Sequence, residues 1–318
     1  MKKLSLLFSI ISGLFLSGLF SPGCLSAQTD TLSFLHLTDT HVLFNPDFYQ
    51  KDFAQSRRSI SQGIDPLRQF LHTVPAKING NFVAITGDLV DFFEAETQDG
   101  SMMGFQVEQF SGLIGESPVP VFLTLGNHDI TWYKWKDSLR VSSQSQAGKA
   151  RATWIRNLPC FSDGTWYSRI YKAGGTTYRL IFLENAYNTV HQGENVNLPY
   201  IDRPQLHWLE DQVRQSPDDI EIILMHLPFT IGANQKQPAS DAFKILAGSP
   251  SVKLILVGHN HRNVIRSFDG EKGEKLTMVQ TGSFGLSPEN WRVIRLTKDK
   301  ILVSQAGKTE TELTISIR

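Results

Sequence analysis

Five short polar groups in this sequence contain side chains that can bind metal ions. They combine aspartate, asparagine and histidine, and five of the nine histidines of the chain belong to them. Nitrogen and oxygen donors suit Mn, Fe, Zn, Ni or Co, and two ions about 3.5–4 Å apart form the usual hydrolytic pair. The groups are Asp39-Thr40-His41, Gly87-Asp88, Gly126-Asn127-His128-Asp129, His226 and Gly258-His259-Asn260-His261.

Each group alone has an ordinary structural explanation. An aspartate after a strand is usually a cap or turn residue, and an isolated histidine is more often a satisfied polar side chain than a ligand. We favour a metal centre because five coincident placements would each need a separate explanation. Asp39 and His41, two residues apart in an extended chain, project to one side, and Asp88 could bridge two ions.

The composition excludes several other kinds of site. The chain has 318 residues, with 31 Lys+Arg against 31 Asp+Glu, and two cysteines. A net charge of zero argues against a dedicated nucleic-acid-binding protein, which carries a basic excess. Two cysteines cannot build a thiolate zinc cluster or a disulfide framework. Any metal ion would therefore depend on His, Asp and Asn.

The polar groups follow apolar runs that are typical of strands buried on both faces. Helical spacing of apolar residues between the runs predicts helices over 60–71, 105–114, 204–213 and 243–246. This alternation indicates crossover connections and a largely parallel central sheet, whose ligands bind beyond the carboxyl ends of the strands. The runs are Leu32–Leu37, Phe82–Ile85, Val119–Leu123, Ile220–Met225 and Val252–Val257.

The rest of the chain predicts a second sheet that packs on the first, with helices outside. Closely spaced strands are expected after residue 275, and a hairpin is expected from Trp166 to Leu183. An aromatic-rich stretch, 132–167, precedes and enters this hairpin. Ordinary packing is the favoured explanation of this stretch, and a substrate pocket is the alternative, for which Trp132 and Tyr133 are the best candidates.

The ordered polar groups resemble the motifs of the calcineurin-like metallophosphoesterase superfamily. All five occur in the family's order between residues 39 and 261. The resemblance implies a four-layer α/β/β/α sandwich, with two mixed β-sheets flanked by helices, and two divalent or trivalent metal ions. The bacterial cyclic-nucleotide phosphodiesterase-like group is the nearest. The purple acid phosphatase branch is disfavoured because Asp91 stands where that branch has tyrosine.

The resemblance also implies a role for each motif residue. His128 would be the general acid and would contact the substrate together with Asn127. Asp129 would orient His128 and favour its imidazolium form, while Asp91 would have either a supporting role or a structural one at the start of a helix. One ion would be held by Asp39, His41, Asp88 and His261, and the other by Asp88, Asn127, His226 and His259.

The expected reaction is hydrolysis of a small phosphodiester or phosphomonoester, with the diester slightly favoured. Two cations lower the pKa of bound water, so that a metal-bound hydroxide attacks phosphorus in line. His128 then protonates the departing alkoxide, a step worth about 10²–10⁴-fold. The alternative is a catalytically silent binding or scaffold module, which would show erosion of the ligands or of His128. None of these residues is eroded.

Residues 1–27 have the pattern of a signal peptide, followed by a phosphoesterase domain over 28–318. Two lysines precede an apolar run from Leu4 to Phe20, which is shorter than the about 20 residues of a membrane span. We expect a secreted, periplasmic protein without a transmembrane segment in its mature form. Lipidation of Cys24 is the minority alternative, because Ser21 makes a poor lipobox.

Cleavage of the signal peptide would make the chain slightly acidic. The mature chain would keep 29 basic and 31 acidic side chains, a net charge of −2. Its affinity for a phosphate ester would then come from the bound ions, and no specific binding of nucleic acid is expected.

Overall fold

The structure is a computed structural model that describes residues 30–49, 51–57, 63–136, 139–187, 199–215, 218–229, 240–270 and 273–317. The predicted signal peptide, with Cys24, lies outside the described residues. Within these ranges, each helix is too short or too polar to cross a membrane.

The first sheet has six strands and combines parallel and antiparallel pairs. Its three N-terminal strands run parallel to one another, and its three C-terminal strands pair antiparallel. The spatial order is β16 (Thr311–Ser316), β15 (Lys300–Ser304), β14 (Trp291–Leu296), β1 (Leu32–Leu37), β2 (Phe82–Thr86) and β5 (Val121–Thr124).

The second sheet also has six strands. Its four central strands are parallel, and each edge strand pairs antiparallel with its neighbour. The spatial order is β12 (Val264–Asp269), β13 (Lys275–Gln280), β11 (Val252–Val257), β10 (Ile220–Leu224), β9 (Thr176–Phe182) and β8 (Tyr167–Ala173).

The two sheets pack face to face, and helices cover them, as the resemblance implies. Along β10, Ile222 and Leu224 belong to the large cluster that includes the first sheet. Ile223 points to the opposite face, because side chains alternate along a strand, and packs in a separate cluster with two helices. These are α5 (Arg203–Gln215) and α6 (Asp241–Ala247). The other helices are α1 (Lys51–Arg57), α2 (Ile64–Lys77), α3 (Gln106–Gly115) and α4 (Ala147–Asn157).

The predicted strands form, and the predicted helices form within the described residues, where the helix expected over 60–71 begins at Ile64 and its residues 60–62 lie outside the described part of the chain. The expected division of the strands between the sheets is wrong. The five apolar runs do not share one sheet, because β1, β2 and β5 lie in the first sheet while β10 and β11 lie in the second. The C-terminal strands β14 to β16 return to the first sheet beside β1. A strand that is apolar on both faces can be buried in either sheet, so local hydrophobicity does not specify its partner.

A third, four-stranded sheet was not predicted. Its order is β4 (Met102–Met103), β3 (Glu94–Glu96), β6 (Trp132–Lys136) and β7 (Leu139–Ser143). Two of these strands have only two or three residues, too few to show alternation. The chain after Asp91 enters β3, so the expectation of a helix start at Asp91 is also wrong.

His36 is a buried histidine inside β1. Its Nδ1 lies 2.9 Å from Thr281 Oγ1 and its Nε2 lies 2.9 Å from Thr86 Oγ1. Burial, together with the nearby Arg292, lowers the pKa of His36 to about 3. The ring is therefore neutral in the folded chain at neutral pH.

This buried ring is expected to make the fold sensitive to mild acid. The unfolded chain takes up a proton near pH 6.5, whereas folded His36 does so only near pH 3. The free energy of unfolding should therefore fall below pH 6.5, by up to about 1.4 kcal/mol per pH unit from this residue. In urea unfolding of the metal-free protein between pH 7 and 4, His36→Gln should flatten this decline. His72→Gln, at an exposed ring, is the control, and equal slopes for wild type and His36→Gln would contradict the assignment.

Candidate metal centre

The five polar groups meet where the carboxyl ends of strands from both sheets come together. The segment after β1 pairs with the segment after β2, because Asp39 N donates to Gly87 O (3.0 Å) and His41 N donates to Asp88 O (2.9 Å). The segment after β11 joins them, since His259 N donates to Asp39 Oδ2 at 2.9 Å. Strand ends that are distant in sequence thus form one cluster.

Most of the predicted ligands have an unusual backbone conformation. Seven non-glycine residues have positive φ in the described chain, and five of them are predicted ligands. Non-glycine residues rarely adopt this conformation, which costs about 1–3 kcal/mol each and occurs mainly at functional sites. The surrounding fold therefore holds these side chains in directions that a relaxed backbone would not give. The five are Asp39, His41, Asp88, His259 and His261.

Two motif glycines are required because other groups of the site pass very close to them. A Cβ atom on Gly126 would lie 2.3 Å from both the N and the Oδ1 of Asp88. A Cβ atom on Gly258 would lie 1.9 Å from Thr38 Oγ1. Both distances are far below van der Waals contact, so only glycine fits these backbones.

Asp39, His41 and His261 bring one ligand atom each to a common point. His261 Nε2 lies 3.3 Å from Asp39 Oδ1 and 3.2 Å from His41 Nε2. Ligands about 2.0–2.2 Å from one ion lie about 3–3.5 Å apart in tetrahedral or octahedral geometry. This spacing therefore fits the predicted first ion site.

Asp88, His226 and His259 form a second convergent group, with Asn127 beside it. His226 Nε2 lies 3.2 Å from Asp88 Oδ2 and 3.2 Å from Asn127 Oδ1. The same Asp88 Oδ2 lies 3.7 Å from His41 Nε2 of the first group. Asp88 thus stands between the two groups, where a bridging carboxylate would be.

Hydrogen bonds on their far sides aim these ligands into the site. His226 Nδ1 donates to Thr86 O at 2.8 Å, which leaves Nε2 directed at the cluster. Asp39 Oδ2 accepts from Thr38 Oγ1 (2.8 Å) and His259 N (2.9 Å), while Oδ1 has a longer contact with the same His259 N (3.2 Å) and lies 3.3 Å from His261 Nε2. Such partners fix the orientation and the protonation state of metal ligands.

The charges of the cluster also fit bound cations. Burial would raise the pKa of Asp88, but the neighbouring His226 and His128 hold it well below its ordinary value. Burial would lower the pKa of His226, but Asp88 raises it to about 9. The buried carboxylates thus require positive charge beside them. Two divalent ions would supply that charge and displace the histidine protons on binding, so the residues present fit the implied binuclear site.

His128 lies beside the cluster rather than in either ligand group. Its backbone N donates to Asp88 Oδ1 at 2.9 Å, and its ring centroid is 4.7 Å from that of His41. Its Nδ1 donates to the carbonyl oxygen of Asp91 at 2.7 Å. Burial lowers the pKa of His128.

The expected role of Asp129 in orienting His128 is wrong. Asp129 is fully buried, and its carboxylate accepts three backbone N–H groups, from Leu89 (2.9 Å), Val90 (3.1 Å) and Gly126 (2.7 Å). Burial raises the pKa of Asp129 to about 8, against the opposing effect of these donors. The side chain joins the segments of the second and third motifs, so its role is structural.

The residue that contacts the His128 ring is Asp91, through its backbone carbonyl. The Asp91 carboxylate is buried and forms a two-point ion pair with Arg57. Arg57 was not predicted, because an arginine at the end of a short helix, followed in the sequence by Arg58, has no distinguishing pattern. Asp91, in contrast, could be recognised from the sequence, because it ends the motif Gly87-Asp88-Leu89-Val90-Asp91.

The aromatic stretch contributes more to packing than to a pocket. Tyr133 is buried, with its ring 5.9 Å from that of Phe92, which supports packing over a place in a substrate pocket. Trp154 is fully buried and its Nε1 donates to Asp129 O. Trp132 is half-buried and its Nε1 donates to Ser145 Oγ at 3.0 Å.

Comparison with known families places these motifs in a recognised domain. The family model described as calcineurin-like phosphoesterase matches residues 32–263. This range contains all five polar groups. No curated protein matches the chain.

Solved structures with the same fold are distant in sequence. A dimetal phosphatase from Danio rerio has a TM-score of 0.58 at 14% identity, covering 90% of this chain and 99% of its own. GAP50, described as the anchor in the inner membrane complex of Plasmodium, has a TM-score of 0.52 at 14% identity, covering 91% and 89%. The NAD nucleotidase of Haemophilus influenzae has a TM-score of 0.51 at 13% identity, covering 90% of this chain and 50% of its own. At these identities the likeness is one of fold.

Proposed function

The chain belongs to the calcineurin-like phosphoesterase family, and from this premise we propose that it is an exported enzyme that uses two metal ions to hydrolyse a small phosphate ester. A phosphodiester is slightly favoured over a phosphomonoester. The observation that carries the proposal is the position of Asp88 between the two ligand groups. Its Oδ2 is 3.2 Å from His226 Nε2 of the second group and 3.7 Å from His41 Nε2 of the first. His128 stands beside both groups.

Seven side chains would hold the two ions. Mn, Fe, Zn and Ni are the candidate metals, and when bound they lower the pKa of water and offset charge on the non-bridging phosphate oxygens. Asn127, next to His128, would also contact the substrate. The ligands are Asp39, His41 and His261 for one ion, Asn127, His226 and His259 for the other, and Asp88 for both.

His128 is proposed to protonate the leaving group from its Nε2 atom. A carbonyl oxygen can only accept, so the hydrogen bond to Asp91 O keeps a proton on Nδ1. A second proton on Nε2 makes the ring an imidazolium, and its donation to the departing alkoxide returns the ring to the neutral form. The lowered pKa of His128 makes this imidazolium a stronger acid than free histidine.

His128→Asn is expected to retain both ions and to lose about 10²–10⁴-fold in kcat toward esters with poor leaving groups. The loss should be much smaller for an activated nitrophenyl ester, because its leaving group departs without a proton. Steady-state rates on phenyl and nitrophenyl phosphates, with metal analysis of each protein, measure this. His207→Asn, at an exposed histidine, is the control. Equal loss on both esters, or retention of both rates, would remove His128 from this role.

The hydrolytic function is tested by a substrate panel on protein that lacks the signal peptide. Mono- and bis-aryl phosphates and cyclic nucleotides are compared after chelation and after addition of Mn, Fe, Zn or Ni. We expect activity that disappears on chelation and returns with metal, with the bis-aryl ester preferred. A preference for the mono ester would overturn the diester assignment. Near-zero bound metal without hydrolysis would instead support the scaffold alternative.

Export to the periplasm is proposed from the sequence of residues 1–27. Expression of the full chain in a bacterium, followed by fractionation and N-terminal sequencing, tests it. We expect a periplasmic protein that begins after Ala27. Recovery in the membrane fraction with a lipid on Cys24 would support the minority alternative.

A further inference from the structure

Arg57 contacts neither predicted ion site, but it forms an ion pair with Asp91. Asp91 in turn lies beside the Nδ1 atoms of His41 and His128. We propose that Arg57 is a positioning residue, which fixes Asp91 and through it the rings of His41 and His128. The inference rests on the proposed function for its catalytic consequence, and on the geometry alone for its effect on metal binding.

The pair of Arg57 and Asp91 has the geometry of a rigid fork. Arg57, the last residue of α1, donates from Nε to Asp91 Oδ2 at 2.7 Å and from Nη2 to Asp91 Oδ1 at 2.6 Å. The Asp91 side chain is fully buried, and that of Arg57 is 14% exposed. Two parallel charge-assisted hydrogen bonds at a site with little water hold the carboxylate in one orientation.

One oxygen of this carboxylate faces His41. Asp91 Oδ1 is 3.5 Å from His41 Nδ1, while His41 Nε2 lies on the ion side of the ring, 3.2 Å from His261 Nε2. His41 Nδ1 is buried and forms no hydrogen bond within the described residues, so its approach to Asp91 Oδ1 is an electrostatic contact. A carboxylate behind the imidazole orients a metal-binding histidine and increases its basicity.

The backbone of the same residue holds His128. Asp91 O accepts from His128 Nδ1 at 2.7 Å, and Asp91 Oδ1 is 3.8 Å from that nitrogen. Anchoring the Asp91 side chain therefore also anchors the carbonyl that sets the His128 ring. One guanidinium group thus controls a ligand of the first ion and the proposed acid together.

The space beside the Asp91 carboxylate suits the guanidinium group of Arg57 better than a third metal ion. His41, Asp91 and His128 do bring three ligand atoms within 4.8 Å of one another. However, both Asp91 oxygens already accept from Arg57, and His128 Nδ1 already donates to Asp91 O. The positive charge that the buried carboxylate requires is therefore supplied by Arg57.

The shape of the side chain at position 57 should matter as well as its positive charge. Lysine would keep the charge but has no planar fork, so it cannot hold two oxygens at fixed positions. Glutamine would leave the buried carboxylate without a cation, and such a group is expected to move toward other partners. Arg57→Gln should therefore impair metal binding and catalysis more than Arg57→Lys does.

The test combines metal affinity with kinetics. Metal-free wild type, Arg57→Gln and Arg57→Lys are titrated with Mn²⁺ by calorimetry at fixed pH, and kcat and KM are measured with saturating Mn²⁺ on phenyl and nitrophenyl phosphates. Arg57→Gln should weaken the binding of one of the two ions by about 10–100-fold. It should lower kcat more on the phenyl ester than on the nitrophenyl ester, with KM little changed. Arg57→Lys should be intermediate in each measurement.

Arg68→Gln is the matched control, because Arg68 forms exposed ion pairs with Asp65 and Glu116. A structural role alone would lower the unfolding midpoint of Arg57→Gln but leave the Mn²⁺ affinity and the ratio of the two ester rates unchanged, and that result would overturn the inference. If Arg57→Gln does not fold, Arg57→Lys carries the same comparison.

The outcomes separate this inference from the proposed function. Hydrolysis by the wild type with unchanged Mn²⁺ affinity and ester ratio in the variants would leave the function standing and remove the role of Arg57. Weakened Mn²⁺ binding in the variants, with no hydrolysis by the wild type, would support the positioning of His41 while contradicting the enzymatic function.

Discussion

Replacing Asp88 by asparagine is expected to lower the rate of phosphate-ester hydrolysis by about 10³-fold or more, because losing an ion removes several kcal/mol of transition-state stabilisation. The Asp88 carboxylate uses both oxygens. Oδ1 accepts from His128 N at 2.9 Å, and Oδ2 lies 3.2 Å from His226 Nε2. An asparagine has one oxygen, so its NH₂ group would face either the backbone N–H or the ion. The bound metal should fall from two ions per chain to one or none.

Metal analysis of the reconstituted protein, together with kcat/KM on a bis-aryl phosphate, measures this effect. Asp163→Asn is the control, since Asp163 lies in an exposed turn and should behave as wild type. Asp88→Asn protein that keeps two ions and the wild-type rate would show that Asp88 does not bridge the two groups.

Gly258→Ala is expected to have the largest effect on stability, lowering the free energy of unfolding by about 3 kcal/mol, and to abolish metal binding. The new Cβ atom would lie 1.9 Å from Thr38 Oγ1 and 2.5 Å from Asp39 Oδ2. Thr38 cannot turn away without losing its hydrogen bonds to Thr86 O (2.7 Å) and Asp39 Oδ2 (2.8 Å). The segment after β11 must therefore move away from the segment after β1, which separates the fifth motif from the first.

Gly112→Ala is the matched substitution. Gly112 lies inside α3 with open space where a Cβ atom would be, so alanine there should stabilise the fold by about 0.5–1 kcal/mol. Urea unfolding and metal titration of both variants test the comparison. Adding Thr38→Ala to Gly258→Ala should restore only part of the stability, because Asp39 Oδ2 remains in the way. Wild-type stability and metal content in Gly258→Ala would show that the glycine is not required for close approach.

The elements of the fold were predictable because they depend on local patterns. The runs that become β1 and β11 begin and end at the predicted residues. The helical spacing around Phe110 and Leu209 also corresponds to helices, α3 and α5. Apolar residues repeat with the period of the element that buries them. Strands β3 and β4 of the third sheet were missed because a strand of two or three residues cannot display a period.

The two aspartates near His128 show the limit of reasoning from sequence position. Asp129 is adjacent to His128 in the chain, which made it the natural partner of the ring, yet its oxygens accept from backbone N–H groups of the second motif and of Gly126 in its own motif. Asp91, 37 positions away, contacts the ring instead. The 3-10 turn His128–Ile130 sends consecutive side chains in different directions, so adjacency did not imply contact.

The sequence alone predicted the residues of the proposed ion sites, the exclusion of thiolate ligands and the elements that end at these residues, because ligand chemistry and hydrophobic period are local properties. The tertiary structure decided how the strands divide between two sheets, which of two aspartates supports His128, and that Arg57 anchors that aspartate. These features depend on strand partners and on side-chain directions between segments far apart in the chain. Such contacts arise only when the buried surfaces pack together, and no local pattern records them.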